Sequence, residues 1–89
     1  MIALRIKVSG KVQGVFFRAS TKGRAEELGI RGWVKNESDG SVLIEAEGEE
    51  ESMNEFTNWC KAGPLMAKVE NIETETIEIG NYSGFNITY

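Results

Sequence analysis

Gly10-Lys11-Val12-Gln13-Gly14-Val15-Phe16-Phe17-Arg18 is the stretch on which the reading of this chain turns. It joins an alternating apolar run to a run with helical spacing, it has glycines at 10 and 14, and Arg18 is its first clearly helical residue. A helix N-terminus already carries partial positive charge and unpaired N–H groups, so a cation in the first turn is disfavoured unless an anion lies between them. Gly10 and Gly14 let the backbone bend so that several N–H groups converge on one point, the geometry of a phosphate cradle. The residues by themselves leave two readings open: an anion site, or a tight strand-to-helix turn with a surface arginine.

Working outward from the stretch, Ile2, Leu4, Ile6 and Val8 alternate with Ala3, Arg5, Lys7 and Ser9, the pattern of a half-buried strand. On the other side Phe17, Thr21, Ala25 and Leu28 fall on one helical face, and Gly29 is placed to end that helix in a left-handed cap. Strands are expected at about Arg31 to Asn36 and Ser41 to Glu47, joined by a hairpin turn at Asp39-Gly40. Ser52 and Glu55 read as a capping box for a second helix, which Gly63 and Pro64 stop. A strand follows from about Ala67 to Ile79; its alternation slips between Val69 and Ile72 and again at Ile77, each slip reading as a bulge or bend. After a turn at Gly80 to Gly84, Phe85, Ile87 and Tyr89 alternate in a short last strand.

The order is βαββαβ with a short extra C-terminal strand, in the α+β class. It predicts a ferredoxin-like sandwich, an antiparallel sheet with both helices on one face. In that arrangement the first loop and the end of the second strand share one edge, so that Arg18 and Asn36 face one another.

Composition narrows the chemistry. The 89 residues make one domain, residues 1–89, with a single modest core. There is no histidine and one cysteine, which removes the usual zinc ligands, a histidine-based relay and any internal disulfide. Cys60, near Phe56 and Trp59, reads as a small buried apolar residue. The start, MIALRIKVSG, lacks the apolar core of a signal peptide and no long apolar run occurs, so a cytoplasmic protein with no membrane association is expected. The net charge is −4, yet residues 1 to 35 hold eight of the ten Lys/Arg and only two of the fourteen acids. That division suggests a local positive field around the first loop, suited to a small anion and poorly suited to nucleic acid.

GKVQGVFFR, LGIRGWVKN (Leu28 to Asn36), DGSV (Asp39 to Val42), AEG (Ala46 to Gly48), Gly63-Pro64 and the closing FxIxY of Phe85 to Tyr89 together closely resemble the acylphosphatase family. The likeness runs along almost the whole chain, and its two leading motifs are long and specific. It implies hydrolysis of acyl phosphates to a carboxylate and inorganic phosphate, with no metal or covalent intermediate; a monomer without a cofactor is expected. It also implies that Arg18 is the phosphate-binding arginine and Asn36 the residue that positions the attacking water. One departure stands out: where many members have threonine directly after that asparagine, this chain has Glu37, which is expected to point out into the hairpin.

The residue types suit that chemistry. A carboxylate leaves without a strong acid, so catalysis reduces to positioning and charge stabilisation. The backbone N–H groups of Gln13, Gly14, Val15, Phe16, Phe17 and Arg18 would bind the phosphoryl oxygens, the planar fork of Arg18 would hold two of them, and Asn36 would orient water without acting as a base. Each residue also has a plainer reading: Arg18 paired with a surface glutamate, Asn36 capping its hairpin, Gln13 ordering the loop. An RNA-binding module shares the sandwich, but its aromatic signature is only faintly echoed by Gly84 to Tyr89. A non-catalytic module of the same fold would need neither Arg18 nor Asn36.

Overall fold

Apolar residues two apart build the sheet and apolar residues three to four apart build the helices that cover it. The computed structural model describes residues 1–89 and contains, in order, β1 (Ile2–Lys11), α1 (Phe17–Leu28), β2 (Arg31–Asn36), β3 (Val42–Gly48), α2 (Glu50–Ala62), β4 (Lys68–Ile77) and β5 (Phe85–Ile87). The strands form one sheet in the order β4-β1-β3-β2-β5. α1 lies over β2 and β5, and α2 over β1, β3 and β4, so one sheet face is covered and the other is open. Ile6, Val8, Val34, Val42, Ile44 and Ala46 supply the sheet side of the core, and Phe17, Ala25, Met53, Phe56 and Cys60 the helix side, all buried. Phe17 packs against Trp59 with ring centroids 5.7 Å apart, and Phe56 meets Phe85 edge-on at 6.1 Å. Cys60 is the small buried residue its neighbours suggested, and burial pushes its thiol up to about 12.

Three sequence expectations need correction. The sheet is mixed: β5 runs parallel to β2, pairing Gly32 with Phe85 and Val34 with Ile87. This follows from the chain path, because β4 is one edge of the sheet and β5 the other, and the connection between them crosses the end at which β2 begins. The second correction concerns α2, which starts at Glu50 with Glu49 in the cap position and no side-chain cap; Ser52 and Glu55 are inside the helix. Glu50 and Glu51 in the first turn complement the helix dipole, and this substitutes for a capping box. Third, the slip at Ile77 is where β4 ends. The first slip is a true bulge: Ser9 pairs with Asn71 and Gly10 with Val69, which leaves Glu70 unpaired. Gly10 is required there, since a Cβ would collide with the Lys68 carbonyl oxygen.

The connection after β4 is pinned by a buried acid. Glu47, fully buried at the end of β3, accepts hydrogen bonds from the N–H groups of Gly80 (2.7 Å), Asn81 (3.0 Å) and Tyr82 (3.2 Å), and Arg31 lies 3.3 Å away. Tyr82 donates its hydroxyl to Glu45 at 2.6 Å. These bonds fix the entry of β5 and hence the course of the last residues. No helix is long and apolar enough to cross a membrane.

Candidate active site

At the end of the sheet where β1 and β2 both finish, three short segments meet: the loop from Val12 to Phe16, the β2–β3 hairpin, and the residues after β5. The loop is left-handed at Gly14 (φ 74°) and at Phe16 (φ 63°, ψ 22°), either side of Val15. A backbone that alternates in this way curls its N–H groups toward one side. No hydrogen bond within the protein uses an N–H from Gln13 to Ala19; the first in this segment is Ser20 to the Phe16 carbonyl at 3.0 Å. Phe16 is the informative member, because its ring is 79 % exposed and a left-handed phenylalanine is strained with no packing to offset it. Such strain persists at sites where backbone shape matters more than local comfort.

Arg18 lies in the first turn of α1, which contains no acidic residue to balance it. Arg5, Arg24 and Arg31 all have carboxylate partners, whereas Arg18 has none and rests over the ring of Tyr89, 5.1 Å from guanidinium carbon to ring centroid. The preceding Thr88 N–H donates to the Val34 carbonyl at 2.8 Å, while Tyr89 itself is 94 % exposed. A ring face attracts the cation without occupying its N–H edges, so the fork stays available to a planar anion.

Asn36 is the last residue of β2 and shares the helix-covered face with Gly32 and Val34. Its Oδ1 is buried and has no hydrogen-bond partner in the protein. An orphaned buried acceptor costs about 1–3 kcal/mol, a cost a fold keeps where the side chain serves something other than stability. Asn36, Arg18, Gly14, Phe16 and Tyr89 line one cleft of about 330 Å³, walled otherwise by Val12, Phe17, Ala19 and Ile87. The cleft therefore has a cationic and N–H-rich pole at α1, an amide at the β2 end and apolar sides. It has no side-chain carboxylate, thiol or imidazole among its lining residues.

A family model described as Acylphosphatase matches residues 4–87. The chain belongs to the acylphosphatase family. A curated acylphosphatase of Archaeoglobus fulgidus is 51 % identical over 89 residues, covering 100 % of both chains. Among solved structures, acylphosphatase from Bacillus subtilis superimposes with a TM-score of 0.97 at 38 % identity, covering 100 % of each chain, and an acylphosphatase from Coxiella burnetii with 0.94 at 46 % identity, covering 98 % of this chain and 92 % of the other. Acylphosphatases are enzymes that hydrolyse acyl phosphates, and the order of elements and the fold agree with that membership.

The fold brings together Arg18, Asn36 and, of the loop, Gly14, Phe16 and Phe17; Val15 is buried in the core and does not line the cleft, and two other features are separated from it. Glu37, the departure from the family pattern, lies next to Lys35 at 3.9 Å; Lys35 in turn is 5.6 Å from the centre of the Trp33 ring, on the open sheet face away from the cleft. Gln13 is in the loop, but its side chain reaches away to the β2–β3 hairpin. Tyr89 is the aromatic cleft residue that the sequence reading missed as a site residue, along with the apolar wall residues Val12, Ala19 and Ile87. The signal was present in the alternation of Phe85, Ile87 and Tyr89, which puts Tyr89 on the same face as the buried Phe85 and therefore beside the start of α1.

Proposed function

We propose that this protein hydrolyses the carboxyl-phosphate bond of acyl phosphates without a metal, that the loop from Gln13 to Arg18 holds the phosphoryl group, and that Asn36 positions the attacking water. One observation carries the reading: Asn36, whose Oδ1 has no partner in the protein, lines the same cleft as an arginine without a carboxylate partner and a run of unused N–H groups. The phosphoryl oxygens would take the N–H groups of Gln13, Gly14, Val15, Phe16 and Phe17, with the Arg18 fork on two of them as charge accumulates. The side-chain amide of Asn36 holds the water and directs its lone pair at phosphorus opposite the acyl oxygen. The new P–O bond forms as the bond to the acyl oxygen breaks. The carboxylate leaves with that electron pair, and the proton of the water passes to a phosphate oxygen. No step needs a histidine, and the cleft's donor set, a guanidinium, an amide and backbone N–H groups, supplies positive potential without metal ligands.

The same reading makes the protein a cytoplasmic monomer that acts on a small molecule, with no nucleic-acid or membrane partner. Its support is that the β4 edge bears Glu70, Glu73 and Glu75, charges that discourage edge-to-edge pairing. Benzoyl phosphate hydrolysis in excess EDTA tests the mechanism. Turnover should be unchanged, and phosphate monoesters with poor leaving groups should be nearly inert. Loss of activity in EDTA with recovery on adding magnesium would overturn it.

A further inference from the structure

The loop that would bind phosphate and the strand end that would hold water belong to different elements, and one side chain spans them. Gln13 Nε2 donates to the Glu37 carbonyl at 2.8 Å and to the Ser41 carbonyl at 2.9 Å. Glu37 follows Asn36 directly, and Ser41 precedes Val42, the register partner of Asn36. The same two carbonyls accept from Gly40 N–H (3.1 Å) and Glu37 N–H (2.8 Å), so the amide closes the hairpin just beyond its last ladder pair. Both hydrogens of the nitrogen are used in this way, which leaves none for a phosphoryl oxygen.

We propose that Gln13 is a positioning residue: its side-chain amide fixes Asn36 against the phosphate loop and does not contact substrate. This rests on the roles proposed above for the loop and for Asn36. In-line attack tolerates little displacement, since about 1 Å of misplacement costs about 10²-fold in rate. A second tie holds the hairpin from the open face, where Asp39 accepts from Ser41 N–H (2.9 Å) and Ser41 hydroxyl (2.6 Å) and pairs with Lys7 of β1 at 2.9 Å. The Ser41 bonds and the Lys7 ammonium hold the Asp39 carboxyl well below the usual carboxylate range, so this tie is ionised at neutral pH. Loss of the Gln13 bonds therefore leaves a folded hairpin whose distance from the loop is no longer set.

The test compares the parent, Gln13→Met, Asn36→Ala and the double variant, all as the full chain, with benzoyl phosphate as substrate and inorganic phosphate as inhibitor. Methionine keeps the length of the side chain and removes the donors; Gln13→Ala serves if Gln13→Met fails to fold. The expected result for Gln13→Met is a kcat lower by about 10- to 10²-fold with phosphate inhibition within about twofold of the parent. Because Gln13 acts through Asn36, adding Gln13→Met to Asn36→Ala should cost no further kcat. Parental kcat in Gln13→Met, phosphate inhibition that weakens in step with kcat, or full additivity in the double variant would each overturn the inference. A parent that fails to hydrolyse benzoyl phosphate would remove the proposed function and this inference with it, whereas an active parent with normal Gln13 variants removes the inference alone.

Discussion

Arg18 differs from its neighbours by what it lacks. Of the eight cations in residues 1 to 35, Arg5, Lys7, Lys22, Arg24, Arg31 and Lys35 each lie within 4.0 Å of a carboxylate, and only Lys11 and Arg18 do not. The plain reading of Arg18 as half of a surface ion pair is thereby excluded. Its planar fork matches two phosphoryl oxygens, a fit the point charge of lysine does not reproduce. Arg18→Lys should lower kcat by at least about 10²-fold, the scale for removing one preorganised donor at developing charge, and should weaken inhibition by phosphate as well. Steady-state kinetics with a phosphate titration check this; near-parental constants would make Arg18 a bystander. The signal for Arg18 was in the sequence because a cation at a helix start is a local contradiction. Tyr89 beneath it was harder to see, since its role depends on β5 being delivered to the opposite sheet edge.

At the scale of elements, the loop and α1 show where local preference was overruled. Phe16 adopts the left-handed backbone at the N-cap of α1 while its ring faces solvent. A left-handed non-glycine residue costs about 1–2 kcal/mol, and glycine gives back about 0.5–1 kcal/mol through unfolded-chain entropy. Phe16→Gly should therefore melt no lower than the parent although a whole ring is deleted, and Phe16→Val should melt lower than both. A fall of several degrees for Phe16→Gly would mean that the ring is held by packing. The regular elements were legible because their period survives in the residues: β2 spans the predicted Arg31 to Asn36, and Gly29 caps α1 at φ 70°. The start of α2 was misread because Ser52 and Glu55 have capping-box spacing inside a helix that Glu50 and Glu51 already start. The second slip in β4 was likewise a strand end, since no local feature of Ile77 separates a bulge from a stop.

At the scale of the molecule, the charge division along the chain did not become a basic end and an acidic end. Antiparallel pairing sets β1 beside β3 and β4, so Arg5 meets Glu45 (2.6 Å) and Glu75 (2.9 Å), and among the cations of residues 1 to 35 those left without a carboxylate are Lys11 and Arg18, at the two ends of the first loop. The other long-range feature invisible in the sequence is Glu47, an acid on a strand that reads as solvent-facing until residues 80–82 fold over it. Glu47→Gln replaces one accepting oxygen with an amide nitrogen facing backbone donors, which should cost about 1–3 kcal/mol. In a domain of this size each kcal/mol lowers the melting temperature by about 4–8 °C. Turnover per folded molecule should stay near parental, since Glu47 is at the end of the sheet remote from Asn36. A calorimetric scan and kinetics on the same sample check both halves. The central claim is also one of the whole fold: in the proposed reading the loop binds and the end of β2, distant in sequence but in the same cleft, positions water, so binding and chemistry should come apart by mutation. Asn36→Ala leaves the cradle and Arg18 intact, so the inhibition constant for phosphate should change little while kcat falls by about 10² to 10⁴. A variant that melts lower yet hydrolyses benzoyl phosphate at the parental rate, or one that loses phosphate inhibition in proportion to kcat, would contradict the account.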